Sequence, residues 1–121
     1  MNFIRSATLG ATDTQYVSER RDQPRKVCRV SATVQVAELG FLPAKTIDLS
    51  TQGIALLLPV ALARGTVAEV SFKLYVNSTL HQVQAGVEVT NCVFLSADVR
   101  VGCSFVSLGA AARRVLSDFT R

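Results

Sequence analysis

The sequence predicts a mainly β domain of about six short strands, an antiparallel barrel or sandwich, finished by one C-terminal α-helix. Two observations carry that expectation. From Val30 onward, apolar and polar residues alternate with period two in short runs separated by turn residues about every ten positions. Only beyond Ser107 does the spacing of apolar residues change to that of a helix. A length of 121 residues suits one hydrophobic core and leaves no room for two sizeable ones.

Residues 1–18 lack sustained periodicity and are rich in Ser, Thr, Ala and Gly, so they read as a flexible N-terminal segment preceding a domain over 19–121. In the first strand Val30, Ala32, Val34 and Val36 face one way, and Arg29, Ser31, Thr33 and Gln35 the other. A turn near Glu38–Gly40 leads to a second strand over Phe41–Leu49, where Pro43 requires an edge or a bulge because it has no N–H to give to a ladder. Gly53–Leu58 is a short, almost wholly apolar strand, followed by a loop bracketed by Pro59 and Gly65. Alternation returns in Val67–Val76, with Val70, Phe72, Leu74 and Val76 inward, and Asn77–Ser78 forms a tight turn. Leu80–Phe94 buries Val83, Ala85, Val87 and Val89, and Ser96–Asp98 turns the chain into Val99–Val106. Ala111, Ala112, Val115, Leu116 and Phe119 then recur at helical spacing, with Ser107 or Gly109 as the start. A helix this short is unstable alone in water, so its apolar side must dock on the strands.

Composition excludes several classes of protein. Hydrophobic residues make up 49% and charged residues 18%, too apolar for a disordered chain. The longest apolar run, Ile54–Val60, is about a third of a membrane span, and no apolar stretch of a secretory signal follows Met1–Arg5. The chain is therefore expected to be soluble and cytoplasmic, and its Met1 and irregular start suit a stand-alone protein, the alternative being a domain excised from a longer one. Cys28, Cys92 and Cys103 are widely and irregularly spaced with a single histidine, His81, so no zinc site is expected, and the cysteines read as small hydrophobes. His81, at a polar-parity strand position without an evident nucleophile, reads as a surface histidine. No P-loop or GxGxxG occurs, and the carboxylates are scattered, so no catalytic constellation is expected.

The net charge of +4 is modest, but Arg20, Arg21, Arg25, Lys26 and Arg29 cluster against only Glu19 and Asp22. That is a local anion-binding signal and not the broad basic face of a duplex-DNA binder, so DNA is not expected as a partner. Arg21-Asp22-Gln23-Pro24-Arg25 is an RxxxR just ahead of the first strand, and Asp48-Leu49-Ser50-Thr51-Gln52-Gly53 is a DxSxxG between the second and third, with about 22 residues between them. Each alone is commonplace: paired arginines are usually solvated charge, and Asp, Ser and Gly are ordinary turn formers. In this order, and with Gly102–Phe105 and a closing helix after them, they resemble the PilZ domain family over roughly residues 19–121.

The resemblance implies a six-stranded antiparallel β-barrel with a C-terminal helix that binds cyclic di-GMP on its outer surface and is not an enzyme. Arg20, Arg21, Arg25, Asp48, Ser50 and Gly53 become the expected ligand-binding residues. Their chemistry fits: an arginine fork pairs with phosphate or with a guanine O6/N7 edge, and its plane stacks on a base. A carboxylate at Asp48 accepts from guanine N1–H and N2–H2. Ser50 serves a base, a phosphate or the turn itself. Gly53 offers positive φ and close backbone approach. Arg20, ahead of RxxxR, resembles members that take an intercalated ligand dimer, the alternative being plain exposure to solvent. Lys26 and Arg29 are weaker candidates, while Gly102 and Phe105 read as structural.

A ligand-operated module follows, in which cyclic di-GMP orders the arginine arm over the barrel and changes the surface offered to an effector protein. The family implies roles in motility, biofilm attachment or exopolysaccharide synthesis. The alternative is a PilZ-like adaptor of pilus or motility machinery that works without the nucleotide. An RNA- or single-strand-binding barrel needs exposed aromatics among basic residues, and no Trp, two Tyr and six Phe, mostly at core parity, do not supply them.

Overall fold

A computed structural model describes residues 24–121. The strands are β1 (Lys26–Val27), β2 (Ser31–Val36), β3 (Gly40–Leu49), β4 (Gly53–Leu58), β5 (Val67–Val76), β6 (Thr79–Phe94) and β7 (Val99–Leu108), followed by helix α1 (Ala110–Thr120). Strands β2 to β7 close a six-stranded antiparallel barrel in the order β2-β3-β4-β7-β6-β5, with β5 returning to β2. The two-residue β1 lies on the same flank of β3 as β2 and extends that strand beyond a short break.

The barrel is built from two three-stranded meanders. One is β2-β3-β4 and the other β5-β6-β7, each joined internally by pairings between consecutive strands. Two seams unite them, β2 against β5 and β4 against β7. The inward residues follow the alternation: Ala32, Val34 and Val36 of β2, Val70, Phe72 and Leu74 of β5, and Val83, Ala85, Val87 and Val89 of β6 are all buried. Pro43 pairs opposite Thr33 in the part of β3 that precedes its pairing with β4, so the other flank is open there, as proline requires.

Asn77 and Ser78 both have positive φ, 52° and 65°, the signature of the two-residue turn whose twist matches its flanking strands. Serine is a poor occupant of that second position. Ser78→Gly is expected to stabilise the protein by about 0.5–1 kcal/mol, read as a higher midpoint in urea at unchanged slope.

Helix α1 starts at Gly109 and packs Ala112, Val115, Leu116 and Phe119 onto the barrel, with Leu116 wholly buried. Its neighbours are β5 and β6. This corrects the reading of His81. It has the inward parity of Val83, stands opposite Leu74, and is half-buried beside Arg114 and Asp118 of α1. Counting from the buried valines back to the hairpin gives that parity.

All three cysteines are free. Cys28 and Cys103 are buried, and desolvation raises both thiols, Cys103 to about 12 with a smaller contribution from Cys92. Cys92 donates to the Leu62 carbonyl at 3.0 Å. Among the described residues no cluster of metal-ligating side chains occurs, and no helix is long and apolar enough to cross a membrane.

Candidate functional site

Alternation along β3 from Ala44 and Thr46 would carry Asp48 into the core. A bulge prevents it. Thr46 pairs with Leu56 and Asp48 with Ala55, so Ile47 is an extra residue and Leu49 takes the inward place, fully buried. Asp48 is thereby turned to the outer face, with its side chain 18% exposed.

The opposite flank of β3 shows a matching irregularity. Val27 pairs with Asp48 and Ser31 with Lys45, so four steps along the incoming chain oppose three along β3. Thr46, 1% exposed, fills this break. Its hydroxyl accepts from the Val30 N–H at 2.9 Å and donates to the Cys28 carbonyl. The chain that leads back to the arginine cluster is thus rooted by one buried threonine side chain together with two backbone bonds, Cys28 N–H to the Ile47 carbonyl at 3.0 Å and Thr46 N–H to the Val30 carbonyl at 2.9 Å.

Arg25 reaches Asp48 from that root: its Nη1 donates to Oδ1 at 3.5 Å, joining two residues 23 positions apart. A second guanidinium faces the other carboxylate oxygen, Arg100 Nη2 lying 3.8 Å from Oδ2. Arg100 belongs to β7 and comes from across β4. The cross-strand row Asp48–Ala55–Gly102 lies between them, and Arg100 stands two residues along β7 from Gly102, opposite Leu57. Ala55 has outward parity, since Ile54 and Leu56 fill the core, yet it is almost wholly covered. A small residue and a glycine therefore separate Asp48 from Arg100 across these strands.

Ser50 is buried, and its Oγ accepts from Gln52 N–H at 3.0 Å and Gly53 N–H at 3.1 Å. Of the roles open to it in the sequence, this is the turn-forming one. Gly53 departs from its expected reason. Positive φ occurs at Gly40 and Gly65 and not at Gly53. What demands glycine here is packing: a Cβ would stand 2.4 Å from the Cys103 carbonyl oxygen across the β4–β7 seam. The close approach is real, but its object is the neighbouring strand.

Lys26 holds its Nζ 4.8 Å from the centroid of the Phe119 ring, a cation–π contact with α1, and Arg29 is exposed. Gly102 abuts the Asn91 side chain, and Phe105 is half-buried against the core. Arg20 and Arg21 lie outside the described residues. The structure thus brings Arg25, Asp48, Ser50 and Gly53 together at one end of β3. It adds Arg100, which sequence reasoning missed. The available signal was its outward parity between buried Val99 and Val101; its nearness to Asp48 depends on register across two strand pairs.

The described residues thus form a closed six-stranded antiparallel barrel with an arginine–aspartate cluster on its outer face and no catalytic group arranged around it. The chain belongs to the PilZ domain family, whose model matches residues 19–121. This is a family of non-catalytic cyclic di-GMP receptors. No curated protein matches the chain.

Among solved structures, it resembles the inhibitor of motility MotI/DgrA of Bacillus subtilis, with a TM-score of 0.75 and 16% identity over 85% of this chain and 50% of that one. It also resembles MrkH of K. pneumonia in complex with cyclic di-GMP, with a TM-score of 0.68 and 16% identity over 85% and 52%. The PilZ domain of YcgR from Escherichia coli with cyclic di-GMP gives 0.58 and 18% over 84% and 89%. At such identities the likeness is one of fold. The chain spans about half the length of the first two.

Proposed function

We propose that this protein is a cytoplasmic cyclic di-GMP receptor that binds its ligand on the outer barrel face through Arg20, Arg21, Arg25, Asp48, Ser50 and Gly53. The observation that carries the reading is the meeting of Arg25 and Asp48, one from each motif, in a single charged cluster. Asp48 accepts from a guanine Watson–Crick edge, and the arginines take phosphates and stack on bases. Ser50 and Gly53 act by holding the turn and the strand that present Asp48. The arm closes over the ligand, and the altered surface engages an effector protein. Arg20 supplies the further cation suited to an intercalated ligand dimer. The related fold of MrkH, solved in complex with the same nucleotide, supports the choice of ligand.

Calorimetric titration with cyclic di-GMP tests this. Arg21→Ala and Asp48→Ala are each expected to weaken binding by about 10- to 100-fold, the worth of a charge-assisted hydrogen bond. A stoichiometry near two supports the dimeric ligand, and near one removes it. Folded wild type that does not bind overturns the receptor reading in favour of a ligand-independent adaptor.

A further inference from the structure

Arg100 is the charged side chain of the cluster that neither motif contains. Its backbone is fixed by pairing on both flanks, to β4 through Leu57 and to β6 through Val93. At 3.8 Å from Oδ2 it forms an ion pair with Asp48 but not a hydrogen bond. Its side chain is 39% exposed and, among the described residues, donates no hydrogen bond. A fork of N–H donors on a fixed stretch of backbone therefore flanks the carboxylate, on the oxygen not engaged by Arg25.

The guanine Watson–Crick edge presents one acceptor, O6, followed by two donors, N1–H and N2–H2. A carboxylate satisfies only the two donors. Reading the whole edge requires a donor beside the carboxylate, and Arg100 stands there. We infer that Arg100 is a specificity residue, donating to guanine O6 while Asp48 accepts from N1–H and N2–H2. The inference rests on the receptor reading above. Adenine carries N6–H2 in place of O6, so it sets donor against donor at Arg100 and leaves that guanidinium without its acceptor. Arg100 thus both favours guanine and rejects adenine. The reader is split across the β4–β7 seam, its acceptor on one meander and its donor on the other.

The test measures binding of cyclic di-GMP and, by competition, cyclic di-AMP to wild type, Arg100→Met and Arg100→Lys. Arg100→Met is expected to lose about 10- to 100-fold in affinity for cyclic di-GMP and to hold or gain affinity for cyclic di-AMP, with Arg100→Lys between. Unliganded melting should be nearly unchanged, because an exposed ion pair contributes little. The 6-thio analogue of cyclic di-GMP keeps both N–H donors and offers a weakly accepting sulfur. A direct contact makes the cost of Arg100→Met shrink with that analogue. An undiminished cost assigns Arg100 only to positioning Asp48 and overturns the inference, as does equal weakening of both dinucleotides or no change at all. Wild type that binds neither nucleotide removes the receptor reading and this inference together; wild type that binds while Arg100→Met keeps its discrimination removes this inference alone.

Discussion

Gly53→Ala is expected to destabilise the protein by about 3 kcal/mol, at the upper end of the usual cost of overpacking, because the clash is with backbone. The added methyl would sit 2.4 Å from the Cys103 carbonyl oxygen, an atom that no rotamer change can move. Relief requires β4 and β7 to separate where Gly53 pairs with Ser104. The adjoining bond from Phe105 N–H to the Gln52 carbonyl, 2.9 Å, is strained by the same shift. Urea unfolding checks the magnitude, and amide exchange along Ile54–Leu58 should accelerate with it. If the variant melts like wild type, the glycine is not there for packing.

Thr46→Val is expected to cost about 2–4 kcal/mol although it nearly conserves volume. The hydroxyl occupies a site 1% exposed, where it accepts from Val30 N–H and donates to the Cys28 carbonyl. Valine leaves both backbone groups without that partner, and each orphaned buried group costs about 1–3 kcal/mol. Thr46→Ser keeps the hydroxyl and loses only a methyl, so it should retain most of the stability. A Val30 amide that stays equally protected from exchange in Thr46→Val would contradict the assignment. Because this threonine roots the chain leading to Arg25, the valine variant should also weaken cyclic di-GMP binding if the receptor reading holds.

Much of this architecture is legible in the sequence because one face of each strand is buried and the other is not. Ala32, Val34 and Val36, or Val83, Ala85 and Val87, announce inward parity directly. The two motifs likewise place Asp48 and Ser50 at the turn between β3 and β4. What stays hidden depends on single-residue slips. The extra residue Ile47, which turns Asp48 outward, leaves no trace in a period-two pattern, because Thr46 is polar yet buried. The slips in the β6–β7 pairing, between Gly86 and Val87 and between Val89 and Asn91, are equally silent. Arg100 becomes a neighbour of Asp48 only once the register across β4 is known. Gly53 is legible as a required glycine but not in its conformation, since a close approach between strands and a left-handed turn both demand that residue.

The two-meander construction has a consequence in time. Pairings inside each meander close short loops, whereas the seams join residues as distant as Gly53 and Ser104 and carry the larger closure entropy. During synthesis β2, β3 and β4 leave the ribosome well before β7 exists. Until then β4 is an uncovered edge, and its sequence, Gly-Ile-Ala-Leu-Leu-Leu, is the least polar among the described strands. This strand, four of whose six residues end up buried, is thus the one that spends longest able to pair with a stranger, and any delay at Gly53 lengthens that interval.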